Sequence, residues 1–164
     1  MSNIANRVIL ITGAARGIGQ LLASRAAARG ALVVACDINE SELQDVVGSI
    51  IGGGGKAVSV RADVTKADDM YSAARFAVKE FGQLDVLVNN AGLGGTSTVA
   101  EMTDEAWSRV LDITLTGTMR CMRAALPTMY QQGSGVIVNN SSVLGWRAQA
   151  DLSRNSVSEL SCGR

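Results

Sequence analysis

Short apolar runs alternate with stretches of helical length along most of the chain. Val8-Ile9-Leu10-Ile11 is continuous and apolar. A run of that kind suits a parallel strand buried on both faces. Residues 20–29 are rich in Ala and Leu, good helix formers, and Gly30 then serves as a stop. Residues 32–36 form a second apolar run ending at Asp37, and residues 40–51 read as a helix closed by Gly52-Gly53-Gly54-Gly55, a loop rather than a site. A third strand follows at 56–60, with Asp63 just beyond it, then a helix at 67–81 closed by Gly82. Val86-Leu87-Val88 and Val136-Ile137-Val138 predict the fourth and fifth strands. Between them Thr103, followed by Asp104 and Glu105, starts a long helix running to about residue 131, with Pro127 placed to kink or interrupt it. Strand and helix in strict alternation imply βαβ units and a parallel sheet covered on both faces. The expected fold class is therefore α/β: a Rossmann-like, doubly wound parallel sheet.

The texture changes after about residue 147. Residues 151–164 carry four serines and few apolar positions, and no further strand follows. The expected organisation is one α/β domain over residues 1–147 and an atypical polar tail over 148–164. The sheet thus reads as truncated after its fifth strand, with a change of reading frame or a truncation near residue 150. Translation of the other two frames tests that. A fifth strand left as an open edge predicts marginal stability, aggregation or dependence on a partner.

Composition removes several classes of function. Lys+Arg and Asp+Glu are both 15, so the net charge is zero and there is no electrostatic reason to expect nucleic acid or a membrane as partner. No apolar run approaches the span of a bilayer, and the residues around Arg7 lack the apolar core of a signal peptide. Cys36, Cys121 and Cys162 are widely spaced and there is no His, so no metal is expected and a reduced cytoplasmic setting fits best.

The candidate chemistry starts at the first strand-to-helix turn, Thr12 to Gly19, which reads TGAARGIG. Gly13, Gly17 and Gly19 fall there: a glycine at a tight turn permits backbone angles other residues resist, and a glycine at the point of closest approach lets main chain touch a pyrophosphate. The helix N-terminus adds free N–H groups and partial positive charge. Asp37 ends the second strand at the spacing expected of an acid that accepts hydrogen bonds from the adenosine ribose. It would repel a 2′-phosphate, which favours NAD over NADP, while Arg16 is the group in the turn that would answer such a phosphate. The other reading of Asp37 is a solvated carboxylate at the next helix start, near Ser41. The Lys and Ser/Thr of a phosphate-binding P-loop are absent.

Three further segments join the turn in order. They are Asp63-Val64, Asn89-Asn90-Ala91-Gly92 and Val138-Asn139-Asn140-Ser141-Ser142. With TGAARGIG they resemble the short-chain dehydrogenase/reductase family over roughly residues 5 to 147. A nucleotide-binding methyltransferase shares the topology but not the last two segments. The resemblance implies an NAD(P)-dependent oxidoreductase that moves a hydride between nicotinamide and a carbonyl or secondary alcohol. It implies cofactor contacts from Gly13, Ala15, Arg16, Gly17, Ile18 and Gly19 of the turn, from Asp37, from the adenine-contacting pair Asp63 and Val64, and from Asn90, Ala91 and Gly92. It places the substrate-binding serine at Ser142 and puts Thr114 where such proteins carry a water-positioning asparagine. It also implies a homo-oligomer paired through the long helix.

Besides Thr114, the chain departs from that family beyond the serine. The proton-transferring tyrosine, expected about thirteen residues after the serine, falls at Asn155, and the lysine four further on falls at Glu159. The only tyrosines are Tyr71 and Tyr130, and no lysine follows Lys79. An amide does not exchange a proton usefully at neutral pH, and a carboxylate has the wrong charge to lower a tyrosine's pKa. Two readings follow. One is an oxidoreductase retaining Ser142 and Thr114, and the other is a non-catalytic nucleotide-binding module or inactive fragment of one.

Overall fold

The computed structural model describes residues 4–94 and 96–146. Five strands form one sheet in the order β3-β2-β1-β4-β5. They are β1 (Val8–Thr12), β2 (Leu32–Asp37), β3 (Lys56–Arg61), β4 (Val86–Asn89) and β5 (Val136–Asn139). Every pairing is parallel, with Leu10 opposite both Val34 and Leu87. The helices are α1 (Gly17–Ala28), α2 (Glu40–Gly52), α3 (Ala67–Phe81), α4 (Asp104–Leu111) and α5 (Gly117–Gln132).

Strand side chains alternate between two helical layers. Ile9, Ile11, Val33 and Ala35 pack with Ala23 and Ala27 of α1 and with Leu43, Val46 and Ile50 of α2. Val8, Leu10, Val34 and Leu87 turn the other way, onto Met70, Ala73 and Ala77 of α3 and Cys121, Ala125 and Met129 of α5. All five residues of β1 are therefore buried, as the continuous apolar run predicts. Fully burying a side chain such as Leu87 contributes about 1.5–3 kcal/mol. The end of the sheet away from the glycine turn is closed by Asp85. Its carboxylate accepts hydrogen bonds from Arg7 (2.8 Å), from the Val8 N–H (2.7 Å) and from the Gln83 amide (2.7 Å).

Local signals placed most elements within a residue or two. Helix α1 ends at Ala28, and Gly30 takes the left-handed conformation (φ +83°) that lets Ala31 N–H return to the Ala26 carbonyl. The long helix differs from expectation. It is divided after Leu111 by a π-helical segment, Asp112–Thr116, whereas Pro127 lies inside α5 without ending it. An inserted π turn shifts the helical face, and here it brings the Thr114 hydroxyl to the Leu93 N–H (3.3 Å). Helix α5 stops instead at Gly133, in the left-handed region (φ +67°).

Strand β5 pairs with β4 and with no other strand among the described residues. Val136 and Val138 are 55% and 45% exposed. The polar tail at 148–164 lies outside the described residues, as do Asn155, Glu159 and Cys162.

Candidate functional site

The site lies where the chain's winding direction reverses. β1 feeds β2 on one side, while β4 sits on its other side, so the loops leaving β1 and β4 diverge and leave a crevice. Three glycines shape its floor. Gly13 has φ +65°, and a Cβ there would stand 2.9 Å from the Ala91 Cα. Gly17 has φ +58° and faces open space, with nothing within 4 Å of where a Cβ would be. At Gly19 a Cβ would press on the Gly13 carbonyl and come within 2.6 Å of the Asn90 side-chain nitrogen. Gly19 thus closes helix on strand, while at Gly17 the main chain borders open space.

Helix α1 starts there without a side-chain cap and without an acidic residue in its first turn. Helix α2, by contrast, is capped by Asn39, which accepts from Glu42 N–H, and has Glu40 and Glu42 in its first turn. Helix α4 has the same equipment in Thr103, Asp104 and Glu105. Because Asn39 caps α2, Asp37 is released from that duty. Its carboxylate instead accepts from the Ala15 N–H of the glycine turn and the Asn39 N–H, both at 3.0 Å. The reading of Asp37 as a plain helix-start carboxylate gives way to one facing the turn.

A second set of bonds ties β4 to the turn. The Thr12 hydroxyl, 1% exposed, accepts from the Asn90 and Ala91 N–H groups, each at 3.1 Å. The Asn90 side-chain nitrogen donates to the carbonyls of Thr12 and Gly13, also at 3.1 Å. Asp63 accepts from Thr65 N–H (2.9 Å) and the Thr65 hydroxyl (2.8 Å), while its own N–H donates to Asp69 (2.9 Å).

These residues surround an open cavity of about 480 Å³. Its walls include Gly13, Arg16, Ile18, Asp37, Asp63, Val64, Asn90, Ala91 and Gly92 among the expected residues. Ala15, Gly17 and Gly19 support it from within the turn without lining it, and neither Thr114 nor Ser142 reaches its wall. Thr114 is buried behind the Leu93 loop. The Ser142 hydroxyl accepts from Leu144 N–H (3.3 Å) and caps a short 3-10 turn, Val143–Gly145.

Sequence reasoning missed Thr12, which the turn motif contains without singling it out. It missed Ile38, Arg109, Ile113 and Asn140 on the cavity wall. For Asn140 a signal existed. Two Asn-Asn pairs end adjacent strands, and the register Asn89 to Asn139 sets Asn140 beside Asn90. Cys36 also borders the cavity, and burial pushes its thiol pKa far up, as it pushes Cys121 up to about 12. No group of three or more His, Cys, Asp or Glu side chains gathers as for a metal among the described residues.

A doubly wound parallel sheet with a crevice at its reversal point is a Rossmann-like domain. The chain belongs to the short-chain dehydrogenase family, whose family model, short chain dehydrogenase, matches residues 7–157. It is 47% identical over 146 residues to a (5R,7aS)-5-hydroxy-7a-methyl-1-oxo-2,3,5,6,7,7a-hexahydro-1H-indene-carboxyl-CoA reductase of Mycobacterium tuberculosis, an alignment covering 87% of this chain and 56% of that one. The chain thus spans little more than half the length of that relative. A short chain dehydrogenase from Mycobacterium smegmatis superposes with a TM-score of 0.93 at 43% identity, covering 99% of this chain and 69% of the other. A short chain dehydrogenase/reductase from Burkholderia phymatum, solved in complex with NAD, superposes with a TM-score of 0.94 at 28% identity, covering 98% and 58%.

Proposed function

We propose that the cavity between the glycine turn and the β4 loop binds a nicotinamide adenine dinucleotide, NAD in preference to NADP. We further propose that the chain is an NAD(P)-dependent oxidoreductase acting on a small carbonyl compound or secondary alcohol. The observation that carries the reading is the Asp37 carboxylate on the cavity wall, hydrogen-bonded to the Ala15 N–H of the glycine turn at 3.0 Å. The residues present fit the group. The uncapped α1 N-terminus and the open face of Gly17 suit a pyrophosphate. Asp37 suits ribose hydroxyls and disfavours a 2′-phosphate. Asp63 and Val64, with Ile113 also lining the cavity, suit the adenine, and Asn90, Ala91 and Gly92 suit the nicotinamide ribose.

When bound, the cofactor supplies or accepts the hydride, and the protein orients it and handles the proton. Ser142 would hold the substrate oxygen and Thr114 would position water, roles that rest on family resemblance. Asn155 and Glu159 supply neither a titrating phenol nor an ammonium. A small-molecule substrate, a homo-oligomer and a cytoplasmic setting complete the reading. No helix among the described residues is long and apolar enough to cross a membrane.

Fluorescence titration with NADH and NADPH, followed by turnover with a panel of ketones, tests the proposal. Tighter binding of NADH supports it. Binding without turnover selects the non-catalytic alternative. Indifference to both dinucleotides at millimolar concentration overturns it.

A further inference from the structure

We propose that Asn140 is a positioning residue: it locks the Asn90 carboxamide, and through it the glycine turn, in the orientation that receives the dinucleotide. The inference deepens the cofactor reading of the cavity and rests on it. Asn90 is the only side chain bridging the glycine turn to the end of β5 in this bonding chain. Its nitrogen faces two carbonyl oxygens, Thr12 and Gly13, each at 3.1 Å. Carbonyls only accept, so those contacts require the nitrogen on that side and the oxygen on the other. The oxygen then needs a donor, and the Asn140 side-chain amide supplies it at 2.9 Å. The Asn140 N–H itself donates to the Asn89 carbonyl (2.9 Å), which holds residue 140 in line with the β4–β5 ladder.

The consequence reaches the turn because there is no slack in it. Gly13 and Gly19 are packed on Asn90 and Ala91 so closely that neither position has room for a methyl group. A carboxamide flipped by half a turn would set its oxygen against two carbonyl oxygens, and the turn would have to open. Asn140 also lies two residues before Ser142 and lines the same cavity. One hydrogen bond thus joins the strand end that carries the serine to the main chain that faces the cofactor. Asn140 is exposed, so its replacement is expected to leave folding intact.

Two variants test this. Asn140→Leu keeps the size and removes the donor. Asn140→Asp keeps the shape and sets a carboxylate oxygen against the Asn90 oxygen at neutral pH. NADH titration is expected to show affinity lowered about three- to tenfold for the Leu variant, the size of one lost hydrogen bond, and lowered further for Asp. The melting temperatures should stay at the wild-type value. The ratio of Asp-variant to wild-type dissociation constants should shrink as pH falls toward the ordinary carboxylate range near about 4, because a protonated Asp donates again. Direct repulsion of the dinucleotide phosphates by the new carboxylate would give the Asp variant the same pH dependence, but it would leave the Leu variant at wild-type affinity and the Asn90 resonances of cofactor-free protein unmoved. In protein without cofactor, the Asn90 side-chain NH₂ resonances should shift in both variants. Wild-type NADH affinity in both variants, with unmoved Asn90 resonances, overturns the inference and leaves the cofactor proposal standing. Wild-type protein that binds no dinucleotide overturns both.

Discussion

Strands β1 and β5 are close in space yet built on different terms. β1 has a neighbour on each side and a helical layer on each face, and all five of its residues are buried. β5 has one neighbour among the described residues, and three of its four residues are exposed. Their ends differ in the same sense. The turn after β1 is stitched by Thr12, Asn90 and Asp37, whereas the serine after β5 makes a local cap to Leu144 N–H. The glycine-turn side of the crevice is therefore preorganised by main chain and part-buried hydrogen bonds. The Ser142 side depends on an exposed strand end, tied to Asn90 by Asn140. Preorganisation of the first kind favours binding before any chemistry.

The largest break in this contrast is expected at Gly19. Gly19→Ala forces a methyl group onto the Gly13 carbonyl and the Asn90 amide, and backbone cannot yield cheaply. Chemical denaturation should show about 2–4 kcal/mol lost, and NADH binding should vanish. Next comes Asp37→Ala, which removes the acceptor for Ala15 and Asn39 N–H groups at the surface of the turn. NADH affinity should fall about tenfold, some 1.4 kcal/mol, while discrimination against NADPH narrows. If titrations show NADPH unaffected relative to NADH, Asp37 does not read the ribose. At the other end of the scale, Val138→Thr on β5 should change stability by less than about 0.5 kcal/mol, because the side chain is already 45% exposed. A loss near that of a core substitution would mean that this edge is covered in solution.

The buried thiols sharpen the comparison through pH. Cys121 is held at about 12 against an ordinary 9.0, chiefly because burial penalises the thiolate. A raised folded-state value means the stability is fully present below pH 9 and is lost as pH rises from there toward 12. Denaturation midpoints should accordingly fall over that window and stay flat between pH 6 and 8. In the native protein at pH 8, Cys36 and Cys121 should resist a thiol reagent and react only on unfolding.

Much of this was written locally. Five strands, the glycine stops at Gly30 and Gly82 and the N-cap at Thr103 follow from apolar runs, left-handed glycines and short polar caps, which act over a few residues. The sheet order did not, since nothing local states that β4 lies against β1. The division of the long helix escaped the sequence for the same reason. Pro127 is the obvious local breaker, but α5 tolerates it, and the π segment forms where Thr114 meets the Leu93 N–H from a distant loop.

The sequence by itself determined which residues could serve a dinucleotide: three glycines, an acid after the second strand, and an Asn-Ala-Gly segment. Only the tertiary structure decided how they are used. It freed Asp37 by giving the α2 cap to Asn39, set Ser142 and Thr114 back from the cavity wall, and brought Asn140 forward to it. Motifs record the backbone conformations that particular residue types permit. Partners 50 or 78 positions apart, such as Asn140 with Asn90 and Asn90 with Thr12, are chosen by strand pairing, which depends on the packing of the whole sheet.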